Sequence, residues 1–374
     1  MVVVFIVHCL LMGSDVLAFL QDSCTPPECD VEPNGYLYAV RCVGGTFSAF
    51  PIIRNCGVNI SVLSLENTLI SVLPEASIPA GLSTITFIHN PLKNIHVGAF
   101  DYCARTLEEL TFNASLDGEI PNALNKFVYL RLLDLSNEKI TNWNLPVLQK
   151  IGSTVKEVRL TNLGLSSWPT WLNYFTAITS LTVDGNNVTV IPDEWLNTVG
   201  AQLIELNLRS SLLSRLPEAM SNLTALTFLD LSYNLITHVA NIPPHITNLH
   251  LEGNKIVEIG DASFMQMPYL RYLVLDGNPM TTVGAQAFNN TPAVDTLSMT
   301  GTNLTRVPMA LSDLTDLSIL DMSNSVNLVC TCAESGLQTW FEGQRSYYIT
   351  GQCGSIDIYT FFTTLAKDCP TSVF

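Results

Sequence analysis

Few residues of this chain have the type and spacing to do chemistry. Asp230 and Glu252 fall on neighbouring strands in the reading below and could mimic a glycosidase pair, one carboxyl donating a proton while the other attacks or activates water. A solvated column of acids explains them more simply. Cys330-Thr331-Cys332 offers two thiols, but one intervening residue is tight for zinc and no histidine lies near. The six histidines are scattered from His8 to His250, and no H-E-x-x-H, G-x-S-x-G, phosphate loop or dinucleotide fingerprint occurs. The chain therefore reads as no enzyme, with no cofactor or metal. What is left is binding chemistry. Phe228, Tyr233, His250 and Tyr272 fall on three successive sequence units, with Arg209 just before them and Asp230, Glu252 and Asp276 around them. Aromatic anchors within a polar rim have the composition of an interface hot spot, and His250 adds a group that titrates near neutral pH.

The elements that must position these side chains come from a repeat. The pattern L-x-x-L-x-L-x-x-N-x-L recurs at a spacing of 20 to 25 residues, with anchors at Leu63, Ile85, Leu110, Leu133, Val158, Leu181, Leu206, Leu229, Leu249, Leu273, Leu297 and Leu320. Such a period means one small unit stacked on copies of itself around a continuous core. In Leu181-Thr182-Val183 apolar and polar residues alternate, as in a strand with one buried face. Asn186 follows, where an amide can satisfy the backbone of a turn. The expected fold is an α/β-type repeat solenoid of about twelve units. Its parallel sheet lines the concave side of a curved horseshoe, with irregular loops and short helical turns on the convex side.

Residues flanking the anchors are free to face solvent on the concave side. Of 36 such positions ten are acids and two are arginines, a net −8 out of the chain's −16. The asparagine position holds Asn90, Asn186, Asn234, Asn254 and Asn278, or Ser and Thr at Thr68, Ser115, Ser211, Thr302 and Ser325. Glu138 and Leu163 break the rule, so irregular turns are expected there.

Charge and export signals narrow the setting. A net charge of −16 disfavours nucleic acid, whose binding depends on Lys and Arg neutralising phosphates. Val2–Met12 followed by Val16-Leu17-Ala18 reads as a cleaved secretory leader over 1–18, after which no apolar run suits membrane insertion. Cysteines cluster at both ends, with Cys24, Cys29, Cys42, Cys56 and Cys103 early and Cys330, Cys332, Cys353 and Cys369 late. Caps with little core of their own are stapled by disulfides in oxidising compartments. This divides the chain into an N-terminal cap at 19–57, repeats at 58–329 and a C-terminal cap at 330–374. Pairing among Cys24, Cys29, Cys42 and Cys56 is open, and Cys103 is free to pair with a cap cysteine, stay buried or bridge to another chain. Glycosylation sequons begin at Asn59, Asn113, Asn187, Asn222, Asn289 and Asn303. Asn113 falls in a concave column, so a sugar there directs the binding surface to later repeats.

These residues resemble the extracellular leucine-rich repeat proteins, among them Toll-like receptors, Nogo-type receptors and small matrix proteoglycans. Gly98-Ala99-Phe100, Ala262-Ser263-Phe264 and Gln286-Ala287-Phe288 match the family's G-A-F element, and Leu216-Pro217 opens its L-P variant. The tail from Asn327 to Cys332 with Leu337 to Phe341 resembles the family's C-terminal cap, which implies bridges Cys330–Cys353 and Cys332–Cys369. The function expected is a secreted or cell-surface module that recognises a protein or glycan on its acidic concave face. Inhibition of a foreign enzyme is one form of this. The alternatives are a receptor ectodomain without its anchor and a structural matrix or cell-wall protein. The partner and the oligomeric state are not legible.

Overall fold

The computed structural model describes residues 29–45, 48–51, 59–265, 267–344 and 348–370. The leader expected at 1–18, Cys24 and Cys56 lie outside these residues. The chain gathers into two compact units, one running up to Gly164 with Pro169–Ile178, the other formed by Leu165–Trp168 and the chain from Thr179 onward.

The first unit opens with an antiparallel hairpin, β1 (Cys29–Asn34) and β2 (Leu37–Val43). Cys29 and Cys42 lie directly opposite in its register and are bridged, which resolves part of the open N-terminal pairing. β2 then runs parallel to β3 (Ile60–Glu66), and β4 (Thr84–Ile88), β5 (Glu109–Asn113), β6 (Leu132–Asp134) and β7 (Glu157–Arg159) continue the sheet. Leu63, Ile85, Leu110, Leu133 and Val158 are paired in one row, and all are fully buried. A slip of one residue would turn this row out to solvent, so the hydrophobic pattern pins the register.

The second unit carries β8 (Ser180–Thr182), β9 (Glu205–Asn207), β10 (Phe228–Asp230), β11 (Asn248–His250), β12 (Tyr272–Val274), β13 (Thr296–Ser298) and β14 (Ile319–Asp321), all parallel. Its row of anchors runs from Leu181 to Leu320 without a shift. The C-terminal cap adds a last strand, with Ile349 opposite Leu320. Bridges Cys330–Cys353 and Cys332–Cys369 close that cap over a small core in which the Phe341 and Phe362 rings stack 4.5 Å apart.

Away from the main strands, local sequence sets the shape of each unit. A proline that fixes φ and lacks an N–H is well placed just before a helical turn. Pro121, Pro169, Pro217 and Pro308 precede single 3₁₀ turns, and Pro192 precedes the helix Asp193–Val199. Where the G-A-F element occurs, Phe100, Phe264 and Phe288 enter the core instead.

Every repeat turns in one way. The residue just before the asparagine position is left-handed in all twelve: Gly at 185, 253, 277 and 301, Asn at 67, 137, 162 and 324, then His89, Ala114, Ser210 and Tyr233. Gly and Asn tolerate this conformation best. At Glu138 and Leu163, where irregular turns were expected, Asn137 and Asn162 keep the left-handed position with φ of 62° and 56°, although Gly164 adds a second left-handed residue after Leu163 with φ 69°. Glu138 even does the work of the missing asparagine. Its buried carboxylate accepts the Ser115 N–H at 2.7 Å and the Leu116 N–H at 2.9 Å.

In the second unit Asn234, Asn254 and Asn278 form a ladder over three successive repeats. Asn254 donates to the Leu231 and Leu251 carbonyls, both at 2.9 Å, and accepts Ile236 N–H at 3.0 Å. Asn278 donates to Leu251 and Leu275 and accepts Ile256 N–H. One amide both donates and accepts, so it pairs backbone groups that the turn would otherwise bury unsatisfied.

Cys103 is buried and free, its thiol facing the Phe100 carbonyl at 3.5 Å. Burial pushes that thiol up to about 12, which keeps it protonated and unreactive.

Candidate ligand-binding face

The strands of the second unit and the turns that follow them carry all eight residues singled out above. Strand alternation turns Leu206, Leu229, Leu249 and Leu273 inward, so their neighbours are left facing out. Five of the eight form one network. Arg209 Nη1 lies 3.3 Å from Glu252 Oε1, and the Arg209 guanidinium sits 4.2 Å over the centre of the Tyr233 ring. His250 Nδ1 lies 3.7 Å from the other Glu252 oxygen, beyond a normal hydrogen bond but within ion-pair range. The His250 ring packs against Phe228 with centres 5.5 Å apart.

The electrostatics follow from that arrangement. Interaction with the Glu252 carboxylate holds His250 above the usual imidazole value, against the opposing effect of burial. Burial pushes Glu252 upward, yet attraction to His250, with smaller contributions from its own backbone N–H and from Ser232, outweighs it and the carboxyl ends below its ordinary value. Burial also raises Asp184, with Arg209 opposing that shift and Asp230 adding to it.

Tyr233 is the strained member. It occupies the left-handed turn position with φ 55°, a conformation unfavourable for a bulky side chain. Its N–H bonds the Glu252 carbonyl at 2.7 Å. Its ring lies on Gly253 so closely that a Cβ built there would stand 2.8 Å from Tyr233 Cδ1. Tyr233 stays half exposed, so the strain is spent on holding a ring at the surface.

The remaining residues fall differently from the sequence reading. Asp230 is buried, and its Oδ1 accepts both the N–H and the hydroxyl of Ser232. It closes its own strand end, as Asp134 does with Ser136 and Asp321 with Ser323. Asp276 likewise accepts Ser298 Oγ at 2.6 Å and Thr300 N–H at 2.7 Å. Tyr272 is exposed and pairs in register with Asn248 and Thr296. That puts it two strands from Phe228, roughly 10 Å away, so it extends the face and does not join the ring contact. The sequence reading passed over Gly253, and it counted Asp184 only as one acid of the face. Aligning the turns would have exposed the first, because Tyr233 stands where other repeats place Gly or Asn.

The first unit's face is built otherwise. Arg131 bridges Glu109 and Glu157, and Arg159 also holds Glu157. Beside these ion pairs, the amides of Asn113, Asn137 and Asn162 are chained at 3.0 and 3.1 Å. Of the sequons, Asn113 is half-buried on that face, whereas Asn59, Asn187, Asn222, Asn289 and Asn303 are exposed and none lies on a strand of the second unit.

Residues 176–236, 244–304 and 268–328 match the family model described as leucine rich repeat. Over these residues the chain carries leucine-rich repeats, and its fold is of the leucine-rich repeat class. The TLR13 chain of a TLR13–ssRNA13 complex superposes with a TM-score of 0.57 at 19% identity, over 73% of this chain and 43% of that one. The Toll chain of a Toll–Spatzle complex from Drosophila gives a TM-score of 0.44 at 13% identity, over 84% and 62%. This chain therefore spans less than half of TLR13 and under two thirds of Toll. No curated protein sequence matches it. The leucine-rich repeat fold is common among solved structures, with 408 matching chains, so fold alone selects no ligand.

Proposed function

We propose that this chain is a secreted or cell-surface recognition module that binds a protein or glycan through the sheet face of its second unit, without catalysis. The observation that carries the reading is the Arg209–Tyr233–Glu252–His250–Phe228 network. A bulky residue is kept in a strained conformation so that an aromatic ring and a guanidinium stand preorganised at the surface, and preorganised anchors lower the entropic cost of binding. Disulfide-closed caps suit an oxidising, extracellular setting. The TLR13 complex supports ligand capture by a chain of this fold, although its ligand is a single-stranded RNA. A net charge of −16 favours protein or glycan over RNA here. A receptor ectodomain and a matrix component are forms of the same recognition role.

The test is affinity capture by the purified glycoprotein, followed by titration of the recovered partner against Phe228→Ala with Tyr272→Ala. Truncated hot spots cost about 2 kcal/mol or more, a thirtyfold loss. A loss below about 1 kcal/mol would place binding elsewhere.

A further inference from the structure

The two units treat the acids on their sheet faces in opposite ways. In the first, Glu66 is paired with Arg41, Glu109 with Arg131, and Glu157 with both Arg131 and Arg159. Arginines from this chain neutralise these glutamates. In the second, Asp184, Glu205, Asp230, Glu252, Asp276 and Asp321 share a face with one paired arginine, Arg209. Hydroxyls and backbone N–H groups reach several of these acids, but neutral donors leave the charge in place.

Glu205 shows the difference most directly. It holds the column position of Glu109 and Glu157, yet the places flanking it that correspond to Arg131 are Thr179 and Thr227. Glu205 is exposed and accepts the Ser180 hydroxyl at 3.0 Å. Across the strand pair, Phe228 stands in register beside it. Arg271 does take the position of Arg131 within its own repeat, but it is flanked by Asn248 and Thr296 and forms no ion pair among the described residues, so it relieves none of these acids. This face already shows how it holds a cation, because Arg209 lies between the Tyr233 ring and the Glu252 carboxylate.

We infer that the ligand of this face is a basic protein segment, whose Arg or Lys side chains take the place beside Glu205 that arginines of this chain fill beside Glu109 and Glu157 in the first unit. Asp184 of the preceding repeat adds negative charge to the face. Phe228 supplies the aromatic wall for the incoming cation, and the guanidinium reads the carboxylates as Arg131 does. The inference rests on the second unit's face being the binding surface, and it adds the chemical class of the partner.

A nine-residue oligoarginine peptide serves as the probe, with nine-residue oligoglutamate as its control, titrated against the intact protein by calorimetry at two salt concentrations. Glu205→Gln with Asp184→Asn is compared with Asp117→Asn plus Glu119→Gln, which removes the same charge from the first unit. The expected result is at least a tenfold loss for the first double variant and less than a twofold change for the second, with unchanged thermal unfolding in both. Equal losses in the two would show attraction to net charge alone and overturn the inference, as would tighter binding of oligoglutamate or no binding of oligoarginine. Failure of the underlying reading is seen separately. If Phe228→Ala with Tyr272→Ala weakens the natural partner while the carboxylate variants do not, the face stands and the basic class falls. If neither pair of changes matters, the face itself is wrong.

Discussion

Glu138 shows how one residue can replace another's chemistry at a cost. The ladder calls for an amide, which donates and accepts, but an ionised carboxylate only accepts. Burial raises this carboxyl to about 6 from 4.5, against two backbone N–H bonds that favour its charged form. The folded chain thus keeps a proton that the unfolded chain has lost between those values. Its contribution is full below pH 4.5 and disappears as pH rises through 6. Relative to Glu138→Gln, the native protein should lose about 2 kcal/mol between pH 4 and 7, measured by urea unfolding at several pH values. A difference that does not vary with pH would show that Glu138 is not the titrating group. At the candidate site, Gly253→Ala should cost about 1–3 kcal/mol, from left-handed strain and from collision with the Tyr233 ring. Adding Tyr233→Ala should recover part of that loss, and strict additivity in thermal unfolding would exclude the contact. These residues were partly legible. The chain shows Tyr233 and Glu138 as departures from the repeat, but the strain on one and the proton on the other come from packing.

Each repeat contributes a strand, a left-handed turn and a ladder residue, and the ladder is where an element is most easily broken. Asn234 accepts the Ser211 and Leu213 N–H groups at 3.1 and 2.8 Å and donates to the Leu208 and Leu231 carbonyls. Asn234→Ala should destabilise by about 2–4 kcal/mol, because buried donors left without acceptors bear their full desolvation cost. Asn222→Ala, at an exposed position, should change chemical denaturation by less than about 0.5 kcal/mol. Comparable losses in both would mean that the ladder carries no special weight. Strand register was legible at this scale, since the leucine period placed all twelve anchors in their observed rows. The twelve left-handed turns were legible only where Gly or Asn marks them. His89, Ala114, Ser210 and Tyr233 take that conformation because the repeats around them dictate it.

Across the molecule, stacked repeats interact with their neighbours, so damage at one end should stay local. The cap bridge Cys332–Cys369 closes a loop of 37 residues. Replacing both cysteines with Ser should cost about 2–5 kcal/mol. Hydrogen exchange should quicken first at Ile319–Asp321 and Ile349–Thr350, while Ile60–Glu66 keeps its protection. Uniform loss of protection would argue for cooperative unfolding of the whole chain. The sequence by itself determined the repeat, the buried rows, the cysteine-closed ends and the stretch in which an aromatic and acidic face would lie, because periodicity and residue type suffice for these. Only the tertiary structure decided which of those side chains act together. Asp230 turned to its own strand end, Tyr272 stood apart from the ring contact, and Arg209 joined Tyr233 to Glu252 across strands 43 residues apart. Charge balance on each face was settled in the same way, since ion pairing depends on the few ångströms between neighbouring strands, a distance that the order of residues does not contain.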